Sequence, residues 1–152
     1  WSSDVCSSDL VYGGFVYLDS KVLQALNAGN VGQMFPNIPK RSASLLTTYE
    51  VIKGIKIGGQ ASYYSRRYGG SNISNASGIT NGAGVVTGNP SIAPYWRFDA
   101  NARAQVTDRL ELQINALNLG NKRYFEALYQ SASPFSYLAP GRSIMTTLRV
   151  VF

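Results

Sequence analysis

Residues 95–106 read Tyr95-Trp96-Arg97-Phe98-Asp99-Ala100-Asn101-Ala102-Arg103-Ala104-Gln105-Val106, and from Trp96 onward every second side chain is apolar. Successive side chains of an extended strand leave on opposite faces. Arg97, Asp99, Asn101, Arg103 and Gln105 therefore share one face, and Trp96, Phe98, Ala100, Ala102, Ala104 and Val106 share the other. A helix would mix the two sets. The tight-turn stretch Thr107-Asp108-Arg109 follows, and then a second alternating run in which Glu111, Gln113 and Asn115 oppose Leu110, Leu112, Ile114 and Ala116.

Working outward, the same period gives strands at about 11 to 19, 41 to 51, 55 to 67, 95 to 106, 110 to 119 and 142 to 152. In the third, Lys56, Gln60 and Arg66 oppose Ile55, Ile57, Ala61 and Tyr63; in the last, Ser143, Thr147 and Arg149 oppose Ile144, Leu148, Val150 and Phe152. Ile52-Lys53-Gly54 and Thr107-Asp108-Arg109 are short connectors, whereas those at about 20 to 40, 68 to 94 and 120 to 141 are long. The middle one, with Gly69-Gly70 and Asn81-Gly82-Ala83-Gly84, is loop chemistry throughout. Short and long connectors alternate, so all the turns fall at one end and all the loops at the other, the layout of an outer-membrane barrel.

The expected fold is all-β: an antiparallel up-and-down meander of about six strands, an open C-terminal piece of a large transmembrane β-barrel. A Lys or Arg facing lipid at the midplane costs about 2–4 kcal/mol, so Arg97, Asp99, Arg103, Glu111 and Arg149 are expected to face the lumen. Tyr63, Tyr64, Tyr68, Tyr95, Trp96 and Phe98 flank one long loop and read as an aromatic girdle, with Tyr49 and Phe152 toward the opposite one. A half-buried soluble sheet shows the same alternation, so a carbohydrate-binding β-sandwich is an alternative, as is a passive porin-like barrel.

Composition agrees with strands. Only 14% of residues are charged, and no apolar run approaches the roughly 18 residues of a transmembrane helix. The net charge of +6 is spread over single or paired Lys and Arg without a basic helix, which speaks against nucleic acid. Residues 1–10, WSSDVCSSDL, repeat Ser-Ser-Asp without any strand or helix period. They read as translated adapter sequence, with the barrel segment running from 11 to 152.

Four stretches carry a resemblance to a known family. Ile38-Pro39-Lys40 with Ala43-Ser44-Leu45, the Tyr95-Trp96-Arg97-Phe98-Asp99 strand entry, Asn115-Ala116-Leu117-Asn118-Leu119-Gly120-Asn121-Lys122-Arg123-Tyr124, and Pro140-Gly141-Arg142 leading to Phe152 resemble, in order and spacing, TonB-dependent outer-membrane receptors. Gly120 departs from the pattern, since the family usually has an aromatic there. The resemblance implies active transport of a ferric siderophore across the bacterial outer membrane. It also implies an upstream plug region that meets the TonB energy-transducing complex, a barrel of about 22 strands in outer-membrane lipid, and a terminal Phe152 read by the barrel-assembly machinery.

With no His in the chain, a Ser-His-Asp or Cys-His site is not available locally, and neither a catalytic residue, a metal cluster nor a cofactor is expected. If a ferric chelate binds, the chelator holds the iron, and the receptor supplies aromatic and cationic groups at the extracellular mouth. The candidates are Arg66, Arg67, Tyr68, Tyr95, Lys122, Arg123 and Tyr124.

Overall fold

The computed structural model describes residues 9–26, 31–69, 79–80, 86–88, 90–129 and 135–152. Residues 1–8, and with them nearly all of the segment read as extraneous, lie outside the described residues, as does Asn81-Gly82-Ala83-Gly84. Leu10 is already part of the first strand and the Asp9 carboxylate accepts a hydrogen bond from the Glu50 N–H at 3.1 Å, so the ordered ladder starts slightly before Val11.

Six strands form one antiparallel sheet: β1 (Leu10–Tyr17), β2 (Arg41–Ile52), β3 (Ile55–Tyr64), β8 (Tyr95–Thr107), β9 (Leu110–Leu117) and β12 (Ser143–Val150), in that spatial order. Each neighbours the next in the chain's own order, so the meander is up-and-down. The remaining strands are short pieces within the long connectors. β4 (Arg67–Tyr68) pairs with β7 (Ser91–Ile92), β5 (Ile79–Thr80) with β6 (Val86–Gly88), and β10 (Phe125–Tyr129) with β11 (Phe135–Leu138). The second and third long connectors thus carry ladders of their own, which runs of two to five residues are too short to announce by periodicity.

Several expected boundaries move by one to three residues, and two of the shifts have a local reason. The third strand stops at Tyr64, not 67, because the Ser65 N–H donates to the Arg41 carbonyl at 2.9 Å and Ser65 Oγ accepts from the Arg41 N–H at 3.0 Å. Arg67 then pairs elsewhere. The fifth strand ends at Leu117 because Asn118 turns to φ 52°, a left-handed conformation that Asn tolerates. At the short-turn end, Lys53-Gly54 and Asp108-Arg109 are two-residue turns, and Gly54 takes φ 84°, where a Cβ would be strained.

The register sorts the side chains cleanly. Glu50 is opposite Lys56, Lys56 opposite Arg103, Arg103 opposite Gln113, and Gln113 opposite Thr147, a polar row across five strands. On the other face Tyr49, Ile57, Ala102, Ile114 and Thr146 make the matching row, apolar but for Thr146. That apolar face carries no second layer. Phe15, Trp96, Phe98, Ile144 and Leu148 all remain exposed, and among the described residues the buried apolar ones are Ile92, Tyr95, Tyr124 and Ala139 near the long loops. A soluble sandwich buries such a face against a second sheet; among the described residues this sheet has none.

Candidate functional site

The polar face is most organised where β8 meets the long loops. Arg97 and Asp99, two residues apart on one strand, point the same way and form an ion pair at 2.9 Å, with Asp99 buried and Arg97 a third exposed. The other Asp99 oxygen accepts the Asn118 N–H at 2.9 Å. Asn118 is buried and every polar group of its side chain is used: Nδ2 donates to the Lys122 and Pro140 carbonyls at 3.0 and 3.2 Å, and Oδ1 accepts the Lys122 N–H at 3.0 Å. Its carbonyl accepts the Asn121 N–H at 2.8 Å, closing the Asn118–Asn121 turn, and Asn121 Oδ1 receives the Arg142 N–H at 3.0 Å. The separate stretches around Asp99, Asn118 and Gly141 are therefore one knot tying β8, β9 and β12 together. Gly120 stands in open space, so the missing aromatic leaves this knot intact.

Beside the knot lies a cluster of rings and a guanidinium. Tyr95 stacks on Tyr124 with centroids 4.1 Å apart and meets Tyr64 at 5.3 Å. The Arg67 guanidinium sits over the Tyr64 and Tyr95 rings at 5.7 and 5.5 Å and donates from Nη2 to the Phe125 carbonyl at 3.1 Å. Arg67 is only 8% exposed, and its buried Nε has no hydrogen-bond partner among the described residues. The Arg97 guanidinium donates a hydrogen bond to the Tyr124 phenol oxygen.

The aromatics expected to form one girdle split in two. Tyr63 meets Trp96 in a tilted pair with centroids 4.9 Å apart, and Trp96 lies parallel to Phe98 at 6.1 Å, all on the apolar face. Tyr64 and Tyr95 are their sequence neighbours and, by the two-residue period, occupy the polar face. Adjacency in sequence put them in one group; the pleat puts them on opposite sides.

The ligand candidates divide in the same way. Arg67, Tyr95 and Tyr124 converge on the polar side. Arg66 and Tyr68 instead line a hollow of about 270 Å³ with Met34, Lys40, Arg41 and Tyr63. Arg66 is exposed and donates to Ser91 Oγ at 3.0 Å. Lys122 and Arg123 are exposed beyond the knot, Lys122 bordering a second hollow with Trp96, Phe98 and Gly120. Arg97, Asp99, Arg103, Glu111 and Arg149 all share the polar face; Arg103 pairs with Glu111, and Arg149 is opposite Glu111 in the register.

Three long loops lean on one another through one residue the sequence did not single out. Asn37, at φ 58°, donates from Nδ2 to the Leu128 carbonyl and accepts the Leu128 N–H at Oδ1, both at 2.7 Å, while its own N–H donates to the Tyr68 carbonyl at 3.0 Å. An Asn side chain here acts as an extra peptide on the edge of β10. Its signal in the sequence, a Pro-Asn pair in a loop, is that of any turn. Nearby, Asp19 hydrogen-bonds Lys40 at 3.2 Å and holds that ammonium above its ordinary pKa. Among the described residues no group of three His, Cys, Asp or Glu could hold a metal ion.

Comparison with known proteins places this geometry. Residues 1–119 match the family described as TonB dependent receptor-like, beta-barrel. The probable TonB-dependent receptor BfrD of Bordetella pertussis is 36% identical over 143 residues, covering 93% of this chain and 18% of that protein. The probable TonB-dependent siderophore receptor PiuA of Acinetobacter baumannii is 34% identical, over 88% of this chain and 17% of its own length. The crystal structure of the A. baumannii siderophore receptor PiuA superposes with a TM-score of 0.69 at 30% identity, covering 91% of this chain and 19% of that one. A likeness of fold extends to the ferric-catecholate import receptor Fiu of Escherichia coli K12, with a TM-score of 0.72 at 22% identity over 93% of this chain and 19% of that one. The chain spans less than a fifth of the length of the curated relatives it matches. Six meandering strands with one polar and one lipid-compatible face, knotted by the Asp99–Asn118 motif, are part of the barrel domain of the TonB-dependent receptor family, to which this chain belongs.

Proposed function

We propose that the intact protein is an outer-membrane active transporter of a ferric siderophore, and that this segment supplies part of its barrel wall and of its extracellular rim. The polar face lines the lumen in this reading, with Arg97, Asp99, Arg103, Glu111 and Arg149 meeting water or the plug, and the apolar face meets lipid. An upstream plug couples to the TonB energy-transducing complex, and the barrel-assembly machinery inserts the whole.

The observation that carries the ligand reading is the Arg67–Tyr64–Tyr95–Tyr124 cluster on the polar side of the long-loop end. A ferric chelate with several catecholate- or hydroxamate-type arms is anionic or polar at its rim and flat on its faces. Stacked rings with one desolvated guanidinium suit such a ligand. Siderophore receptors among the relatives support the class of substrate.

The test uses the intact receptor. Arg67→Ala and Tyr95→Ala are expected to weaken binding of a ferric siderophore about tenfold or more, the upper range for a desolvated cation–π contact. Uptake of the labelled chelate is expected to stop when the inner-membrane energy source is uncoupled. Unaltered affinity in both variants rejects the cluster as a site; uptake that survives uncoupling rejects active transport in favour of a passive pore.

A further inference from the structure

Arg41 is a charge in the wrong place for a hydrocarbon surface. It opposes Tyr17 in the ladder, and two residues further along the same face Ala43 opposes Phe15 and Tyr63, so by register Arg41 belongs to the apolar face, at its long-loop end. An Arg there is tolerated only where the hydrocarbon ends and headgroups begin. It is not alone. Lys40, Arg41 and Arg66 line one hollow of about 270 Å³ whose apolar walls are Met34, Tyr63 and Tyr68. Asp19 neutralises Lys40 at 3.2 Å, and no ion pair among the described residues engages Arg41 or Arg66, so the hollow keeps an excess of two positive charges.

We infer that this hollow is a binding site for a phosphate-bearing lipid of the surrounding leaflet, with the phosphate on Arg41 and Arg66 and an acyl chain along Tyr63 and Met34. Charge complementarity names the headgroup: two guanidiniums with fixed forks match phosphate oxygens in a bidentate way. Continuity with the lipid-facing aromatics Tyr63, Trp96 and Phe98 names a lipid and not a free anion. The inference rests on the outer-membrane reading and assigns Arg66 and Tyr68 to lipid, separately from the Arg67 cluster on the opposite face. The Ser91 hydroxyl already orients the Arg66 guanidinium through Nη1, leaving its other donors for the ligand.

The experiment takes the intact receptor in non-ionic detergent and titrates diphosphorylated lipid A, its dephosphorylated form and inorganic phosphate, reading bound adducts by native mass spectrometry. Arg41→Gln and Arg66→Gln are each expected to weaken the diphosphorylated lipid about fivefold, with no change for the dephosphorylated one. Arg41→Lys with Arg66→Lys is expected to weaken the diphosphorylated lipid as well, since an ammonium keeps the charge but not the bidentate fork. Heat-modifiable migration of every variant checks that the barrel is folded, and Arg66→Gln, at an exposed side chain, guards against loss through misfolding. Equal binding of the two lipid forms overturns the inference, as does displacement of the lipid by millimolar inorganic phosphate. A wild-type receptor absent from the outer-membrane fraction overturns the reading beneath it instead.

Discussion

The carboxylate of Asp99 and the backbone N–H of Asn118 meet at 2.9 Å across 19 residues of chain, and both residues are buried. Asp99 belongs to one strand and Asn118 to the turn leaving the next, so this contact sets where β9 ends and where the chain heads back toward β12. A charged acceptor on a buried amide contributes about 1.5–3 kcal/mol. Asp99→Ala in the intact receptor is expected to cost that much, read as a lower urea midpoint in detergent micelles. The lost ion pair adds little, because Arg97 is partly solvated. Asn118→Gly keeps the left-handed backbone but deletes three side-chain hydrogen bonds, and is expected to cost at least as much. If both variants unfold like the wild type, the knot does not stabilise the barrel.

Gly58 has no room for a side chain. A Cβ there would lie 2.8 Å from Asn101 Oδ1 and 2.8 Å from the Thr47 carbonyl oxygen. Asn101 can swing away, but the Thr47 carbonyl belongs to the neighbouring strand's ladder. Gly58→Ala is expected to destabilise by about 1–3 kcal/mol, with Gly58→Ala in an Asn101→Ala background recovering only part of it. Complete recovery in the double variant, measured by the same unfolding midpoint, shows that the backbone contact is harmless.

Asn37 holds β10 from another loop, 91 residues away, through two hydrogen bonds of 2.7 Å. Replacing it with Ala removes both and leaves a Cβ at φ 58°; replacing it with Gly removes the bonds alone. Both variants are expected to expose residues 125–129 to externally added protease on intact cells, at a rate raised about fivefold or more for each kcal/mol of lost tethering. Equal cleavage in wild type and both variants means the loops are held elsewhere.

Phe152 follows the end of β12 and is fully exposed, at 107% of its reference area. The resemblance implies a residue read during assembly, so Phe152→Ala in the intact receptor is expected to lower the amount of receptor in the outer membrane. An unchanged outer-membrane level removes that role.

The strands, their alternation and the strict succession of short and long connectors were legible in the sequence, because each depends on neighbours within a few residues. Period-2 patterning in residues 95–106 and the short connectors Ile52-Lys53-Gly54 and Thr107-Asp108-Arg109, which fold as two-residue turns, are local properties, and the six strands fall within three residues of where the pattern places them. Three features were decided only by tertiary structure. Asn118, Asn121 and Gly141 act as a unit because a strand register brings together residues more than 20 positions apart. Tyr63 and Tyr64 lie on opposite faces by the pleat alone, but that their rings meet Trp96 and Tyr95 is decided by the register between β3 and β8. Arg66 and Arg67 part in the same way where β3 ends: one closes a hollow beside Arg41, and the other lies over the rings of Tyr64 and Tyr95. A short-range pattern specifies which residues can share a face. Which distant groups they meet there depends on the register between strands and on where each loop returns, and no window of sequence contains that information.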